Sequence, residues 1–182
     1  MAYLLGVGEQ FPSFEKKAVV STEKGKEFAT VSNDFENENG AWTVIFWWPK
    51  DFSAVCPSEL IAFNASLSEF KSRKANLLGF STDTEDVHLA WRTYNPELKN
   101  LGFPLVEDTS KSLASELGIL HEAGIAYRAT YIVDNQNIIR WVSVGELHVG
   151  RGTGEILRML DALQSGGACP VNWKKGEAMI KG

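Results

Sequence analysis

The chain has little cysteine. It carries 2 in 182 residues, too few for the disulfide framework of a small secreted domain. There is no Cys-x-x-Cys pair, which excludes a thioredoxin-type exchanger. Three histidines, His88, His121 and His148, lie scattered along the chain. With two distant cysteines they make no zinc-ligand spacing. Positive charge is in deficit, 18 Lys and Arg against 23 Asp and Glu, for a net −5. That balance argues against a nucleic-acid surface. No apolar run approaches the roughly 18 residues a membrane span needs. The opening MAYLLGVGEQF has no basic start and does not read as a signal peptide. The Gly-rich stretch GELHVGRGTG lacks the G-x-x-x-x-G-K-[ST] order of a phosphate-binding loop. No internal repeat or domain linker is visible. The expected compartment is a reducing cytoplasm, where a cysteine pair is more often catalytic than structural.

What is there is a chain able to build one sizeable core, 44% hydrophobic and 23% charged. Its most informative stretch is WTVIFWWPKDFSAVCPSELIAFNASLSEF, residues 42–70. Trp42 to Trp48 is aromatic and β-branched, the composition of a strand buried on both faces. Pro49 ends it. After the polar turn Lys50-Asp51-Phe52-Ser53, apolar residues recur at Leu60, Phe63, Leu67 and Phe70, the spacing of one helix. Pro57 is tolerated only near a helix start, so the helix begins around Val55 or Cys56. Cys56 then sits where unpaired N–H groups and the positive end of the helix dipole favour its thiolate. Two readings stand at this point: a small buried hydrophobe, or a nucleophile at the carboxyl end of a strand, where open α/β sheets bind ligands.

Before this stretch, short apolar pieces among Gly6, Gly8, Pro12 and Gly25 read as short strands or a hairpin. The acidic loop Asp34–Asn39 reads as solvated. After it, NLLGFSTD (76–83) is a second short strand, and Val87, Trp91 and Tyr94 mark a helix that Thr82 or Asp83 can cap. Phe103 to Val106 is extended. Thr109 or Ser110 caps a short helix with Leu113 and Leu117, closed by Gly118. This alternation implies parallel strands with crossover helices. Tyr127–Val133 and Ile138–Val144, joined by Asp134-Asn135-Gln136-Asn137, form an antiparallel hairpin. Thr153 caps a last helix whose Ile156, Leu157, Leu160 and Leu163 face the core. The tail from Gly166, with Trp173 its one bulky residue, reads as an extended, mobile arm that exposes Cys169. These elements describe an α/β, thioredoxin-like fold: a central mixed sheet flanked by helices over residues 1–165, and an arm over 166–182.

Pro49-Lys50-Asp51-Phe52-Ser53-Ala54-Val55-Cys56 fits the pattern P-x-x-x-[T/S]-x-x-C, and the chain resembles the peroxiredoxins. Cys169-Pro170-Val171-Asn172-Trp173 is similar to the resolving segment of the typical 2-Cys members, of the alkyl hydroperoxide reductase C-subunit type. The resemblance implies a thiol peroxidase without a cofactor. Cys56 would attack hydrogen peroxide or an alkyl hydroperoxide, with Ser53 and Arg128 holding its oxygens and Pro49 shielding the sulfur. Ser53 stands where threonine is commoner in that family. Arg128 would lie beside the thiolate, oriented by Glu59; Arg151 is a further candidate for that role, beyond what the resemblance carries, and Trp91 packs nearby in the core. The resemblance further implies a disulfide from Cys56 to Cys169 of a second subunit, in a homodimer that closes into a decameric ring. A dithiol protein would reduce it. The alternative is a redox-signalling or holdase scaffold on the same fold.

Overall fold

The computed structural model describes residues 3–33 and 41–181; the acidic loop Asp34–Asn39 lies outside them. Among the described residues one sheet holds β1 (Glu15–Val19), β2 (Phe28–Ser32), β3 (Trp42–Trp47), β4 (Ala75–Ser81), β5 (Leu105–Glu107), β6 (Arg128–Val133) and β7 (Ile139–Gly145). Their spatial order is β2-β1-β5-β4-β3-β6-β7. The central β3, β4 and β5 run parallel. β6 pairs antiparallel with β3 on one side and with β7 on the other. The helices are α1 (Cys56–Ala65), α2 (Leu67–Ser72), α3 (Glu85–Tyr94), α4 (Ser112–Glu116) and α5 (Thr153–Ser165).

The apolar run of β3 is explained by its place. A strand between two neighbours, covered on both faces, has no solvent side for polar residues. Val44, Phe46 and Trp48 point to one layer, with Cys56, Leu60 and Phe63 of α1. Ile45 and Trp47 point to the other, with Phe11, Phe80 and Tyr131. The rings of Phe46 and Phe63 stack at 3.9 Å and fix α1 on the sheet. Gly79 of β4 lies opposite Phe46 in register. A Cβ there would stand 2.8 Å from the Trp48 ring and 3.0 Å from that of Phe46. Gly79→Ala should therefore cost about 1–3 kcal/mol through overpacking, read as a lower urea midpoint at unchanged slope. An unchanged midpoint would mean that the two rings give way freely.

Five local expectations are corrected. Leu60 to Phe70 is two helices, not one: Ser66 leaves helical geometry, and its hydroxyl pairs with that of Thr153 at 3.0 Å. Thr153 is thereby occupied, and Gly152 is the residue before α5. Thr84, not Thr82 or Asp83, caps α3 by accepting from the Val87 N–H, because Asp83 is already bonded to Ser81 and to the Asp51 N–H. Asp108, not Thr109 or Ser110, serves α4, its carboxylate accepting from the N–H groups of Leu113 and Ala114. Tyr94 does not join Val87 and Trp91 against the core but is exposed.

The hairpin turn is as the sequence reads, with Asp134 Oδ1 accepting from the N–H groups of Gln136 and Ile138. The tail is not an extended arm. It doubles back through turns at Asn172 and Gly176, both at positive φ. The Ile180 N–H donates to the Ala168 carbonyl, and the Trp173 indole N–H to that of Glu177. Burying the Trp173 ring, 3% exposed, supplies the apolar contact that ties the segment down. Cys169 is consequently half-buried, its sulfur 3.3 Å from the Ser165 hydroxyl.

Candidate active site

Cys56 is the first residue of α1, and no side chain caps that helix. Pro57 supplies no N–H and suits this first turn. Ser58 bonds back to the Val55 carbonyl through both its N–H and its hydroxyl. Cys56 is fully buried. The candidate nucleophile is thus a sulfur at the positive end of a helix, shut off from water.

The first strand residue of β6 meets it there. Arg128, which is 3% exposed, places Nη1 3.4 Å from Cys56 Sγ. Glu59 lies one helical turn past Cys56 and so on the same face. Its Oε2 accepts from Arg128 Nη1 at 2.5 Å and from Arg151 Nη2 at 3.1 Å. Its Oε1 accepts from the Nε and backbone N–H of Arg151, each at 2.9 Å. Arg128 is completed by the Leu147 carbonyl, which accepts from both Nε and Nη2. Arg151 also donates to the carbonyls of Trp47 and Ala129 and lies over the Phe46 and Phe63 rings. Burial pulls the Arg151 guanidinium below the usual arginine range; Glu59 opposes that, Arg128 reinforces it and the Cys56 sulfur opposes it again.

The charges decide what this cluster favours. Two guanidinium groups face one carboxylate, which leaves one positive charge uncompensated in a buried place. A thiolate at Cys56 brings the sum to zero. An opposite charge within about 4–6 Å stabilises the ionised form of an acid, most of all where water is excluded.

Pro49 is buried at the end of β3. The Ser53 hydroxyl is buried and has no hydrogen-bond partner. A buried, unpartnered hydroxyl is costly unless a ligand completes it. Trp91 lies in the same apolar layer as Cys56, its ring 6.3 Å from that of Trp48. Cys169 is not beside these residues' hydrogen bonds; it contacts Ser165 and Ala162 at the end of α5. Both cysteines are free. Among the described residues no group of three or more His, Cys, Asp or Glu is placed to hold a metal ion.

Sequence reasoning missed three participants. The Leu147 carbonyl carries no side-chain signal at all. Asp51 reads as one polar residue of a turn, and His88 only as a failed zinc ligand. In the structure they are one buried pair, with His88 Nδ1 2.7 Å from Asp51 Oδ2. Their spacing of 37 residues has no periodicity that would have joined them.

Comparison with known proteins agrees with this geometry. The AhpC/TSA family profile matches residues 7–142. The chain is 44% identical to the alkyl hydroperoxide reductase C of Mycolicibacterium smegmatis over 183 aligned positions, 97% of this chain and 94% of that protein. Among solved structures, the AhpC of Mycobacterium bovis superposes with a TM-score of 0.85 at 40% identity, covering 94% of this chain and 99% of that one. The reduced 2-Cys peroxiredoxin of Plasmodium vivax gives 0.89 at 32% identity, covering 96% and 92%. A buried helix-start cysteine facing an Arg-Glu-Arg cluster on a seven-stranded mixed sheet, together with these matches, means that the chain belongs to the AhpC/TSA family.

Proposed function

We propose that this protein is a thiol-dependent peroxidase of the 2-Cys peroxiredoxin kind, with Cys56 as the attacking sulfur. The observation that carries the reading is the 3.4 Å approach of Arg128 to Cys56 Sγ inside a cluster short of one negative charge. The Cys56 thiolate attacks one oxygen of hydrogen peroxide or an alkyl hydroperoxide. The S–O bond forms as the O–O bond breaks, and the sulfur is oxidised to sulfenic acid. The leaving oxygen takes a proton and departs as water or alcohol. Arg128 stabilises the negative charge that develops on that oxygen. The Ser53 hydroxyl, unpartnered here, bonds a peroxide oxygen. Pro49 closes the wall against water.

The second half-reaction uses Cys169. Its thiol condenses with the sulfenic acid, water leaves and a disulfide forms. We assign Cys169 to the other subunit of a homodimer. The exposed edge strand β7, with Val144 open to solvent, suits pairing of two sheets about a two-fold axis. Closure of such dimers into a decameric ring extends the same reading, as does a dithiol protein that returns the disulfide to thiols. A reducing cytoplasm suits this cycle. Cys56 must leave its pocket to reach Cys169, and the uncapped start of α1 is where the helix opens at least cost.

Removing the second thiol separates the halves. Cys169→Ser should reduce one equivalent of peroxide per subunit at the wild-type rate and then stop. Wild type should cycle with a dithiol reductant and, once oxidised, run as a dimer on a non-reducing gel that needs both cysteines. Continued cycling by Cys169→Ser with that reductant would remove Cys169 from the mechanism. A scaffold without catalysis would leave peroxide untouched in both proteins.

A further inference from the structure

The segment between β3 and α1 carries Pro49 and Ser53 into the site, and its backbone is not relaxed. Phe52, between Asp51 and Ser53, has φ +51°. A bulky side chain avoids that left-handed region, and such strain persists only where the surroundings over-determine it. Here Asp51 is the over-determined residue. Its Oδ1 accepts from the Trp48 indole N–H at 2.8 Å, and its Oδ2 meets His88 Nδ1 at 2.7 Å. Its own N–H donates to Asp83 Oδ2 at 2.8 Å, an oxygen that also accepts from the Ser81 hydroxyl. The partners are Trp48, one residue past β3, His88 on α3, and Asp83, two residues past β4.

This network is not arranged for stability alone. Asp51 and His88 are both buried, and His88 Nε2 has no partner. Burial pushes the Asp51 carboxyl up, more than its bonds to His88 and Trp48 pull it down. An apolar pair of similar volume would fill the space at less cost. What the polar pair supplies is direction, because hydrogen bonds fix an orientation that apolar contacts do not. Two residues beyond Asp51, the Ser53 hydroxyl is held buried and unpartnered.

We propose that Asp51 is a positioning residue: clamped by Trp48, His88 and Asp83, it holds the strained turn at Phe52 and so aims the Ser53 hydroxyl at the peroxide. The proposal rests on the peroxidase reading above. It concerns how Ser53 is held, not whether Cys56 reacts.

The test is a set of rates for Cys56 oxidation by hydrogen peroxide. His88→Phe keeps a ring in place but removes Nδ1; it should slow the reaction about tenfold. Asp51→Asn can still accept from Trp48 and donate to His88 Nδ1, and it should stay within about threefold of wild type. The decisive arm is Ser53→Ala. In that background His88→Phe should cause no further loss, because the residue it acts through is gone. Should His88→Phe fail to fold, Asp83→Ala releases the Asp51 N–H from the other side and is expected to show the same dependence on Ser53. A wild-type rate in His88→Phe, or in Asp83→Ala, overturns the proposal. So do losses that multiply in the double variant, which is what general loosening of the fold would give. If wild type and Cys56→Ser consume peroxide alike, the peroxidase reading fails instead, an outcome the wild-type control separates from these.

Discussion

Cys56→Ser should reduce peroxide turnover to the uncatalysed level, a loss on the order of 10⁴-fold or more. Serine is close to cysteine in volume, so the buried position between the sheet and α1 stays filled. The charge logic changes completely. A hydroxyl does not ionise beside Arg128, so the cluster of Arg128, Glu59 and Arg151 keeps its uncompensated positive charge. Nor can an oxygen take the sulfenic step. A Cys56→Ser protein that melts like wild type yet consumes no peroxide fits this account. One that cycles peroxide at even a tenth of the wild-type rate does not.

Arg128→Met should be the second largest effect. It keeps a long side chain in the space between β6 and α1 but removes the donor 3.4 Å from the sulfur. Loss of one such donor to a developing negative charge costs about 10²–10³-fold in rate. The loss should fall on the rate of Cys56 oxidation. Reduction of an already formed disulfide should change little, because by then the sulfur carries no charge. Glu59 retains all three bonds from Arg151, so the variant should still fold. Arg128→Lys is expected between the two, since a point charge cannot serve Cys56, Glu59 and the Leu147 carbonyl at once. Stopped-flow rates for the three proteins decide it. Equal rates would mean that the helix start alone activates the sulfur.

Much of this architecture is legible in the chain because periodicity and punctuation carry it. The buried β3 is announced by WTVIFW, its end by Pro49, and the start of α1 by Pro57. Asp134-Asn135-Gln136-Asn137 names its own turn. What the sequence hides is what depends on tertiary partners. Thr153 is a good cap by type, yet Ser66 occupies its hydroxyl. Asp83 is likewise taken by Ser81 and Asp51. The tail looks extended because one tryptophan is little apolar surface, but Trp173 is buried and the chain folds around it.

The site divides along the same line. Cys56, Ser53 and Pro49 share one short pattern and are legible together. Arg128 and Glu59 come from resemblance; the structure brings Arg128 to the sulfur and Glu59 to Arg128, with Arg151 joining Glu59. Asp51 and His88 had no such pattern, since a buried polar pair from two elements leaves no local trace in sequence. Cys169 is the member that the folded chain leaves apart. Its sulfur contacts Ser165 and Ala162 at the end of α5.

The most direct measurement of the central claim starts from reduced Cys169→Ser protein. One equivalent of hydrogen peroxide is added with a sulfenic-acid trap, and peptide mass spectrometry follows the label. One label per chain is expected, on Cys56, formed quickly in this protein and far more slowly when Arg128 is also replaced by methionine. An unlabelled Cys56 with peroxide still present, or labelling at the same speed without Arg128, would contradict it.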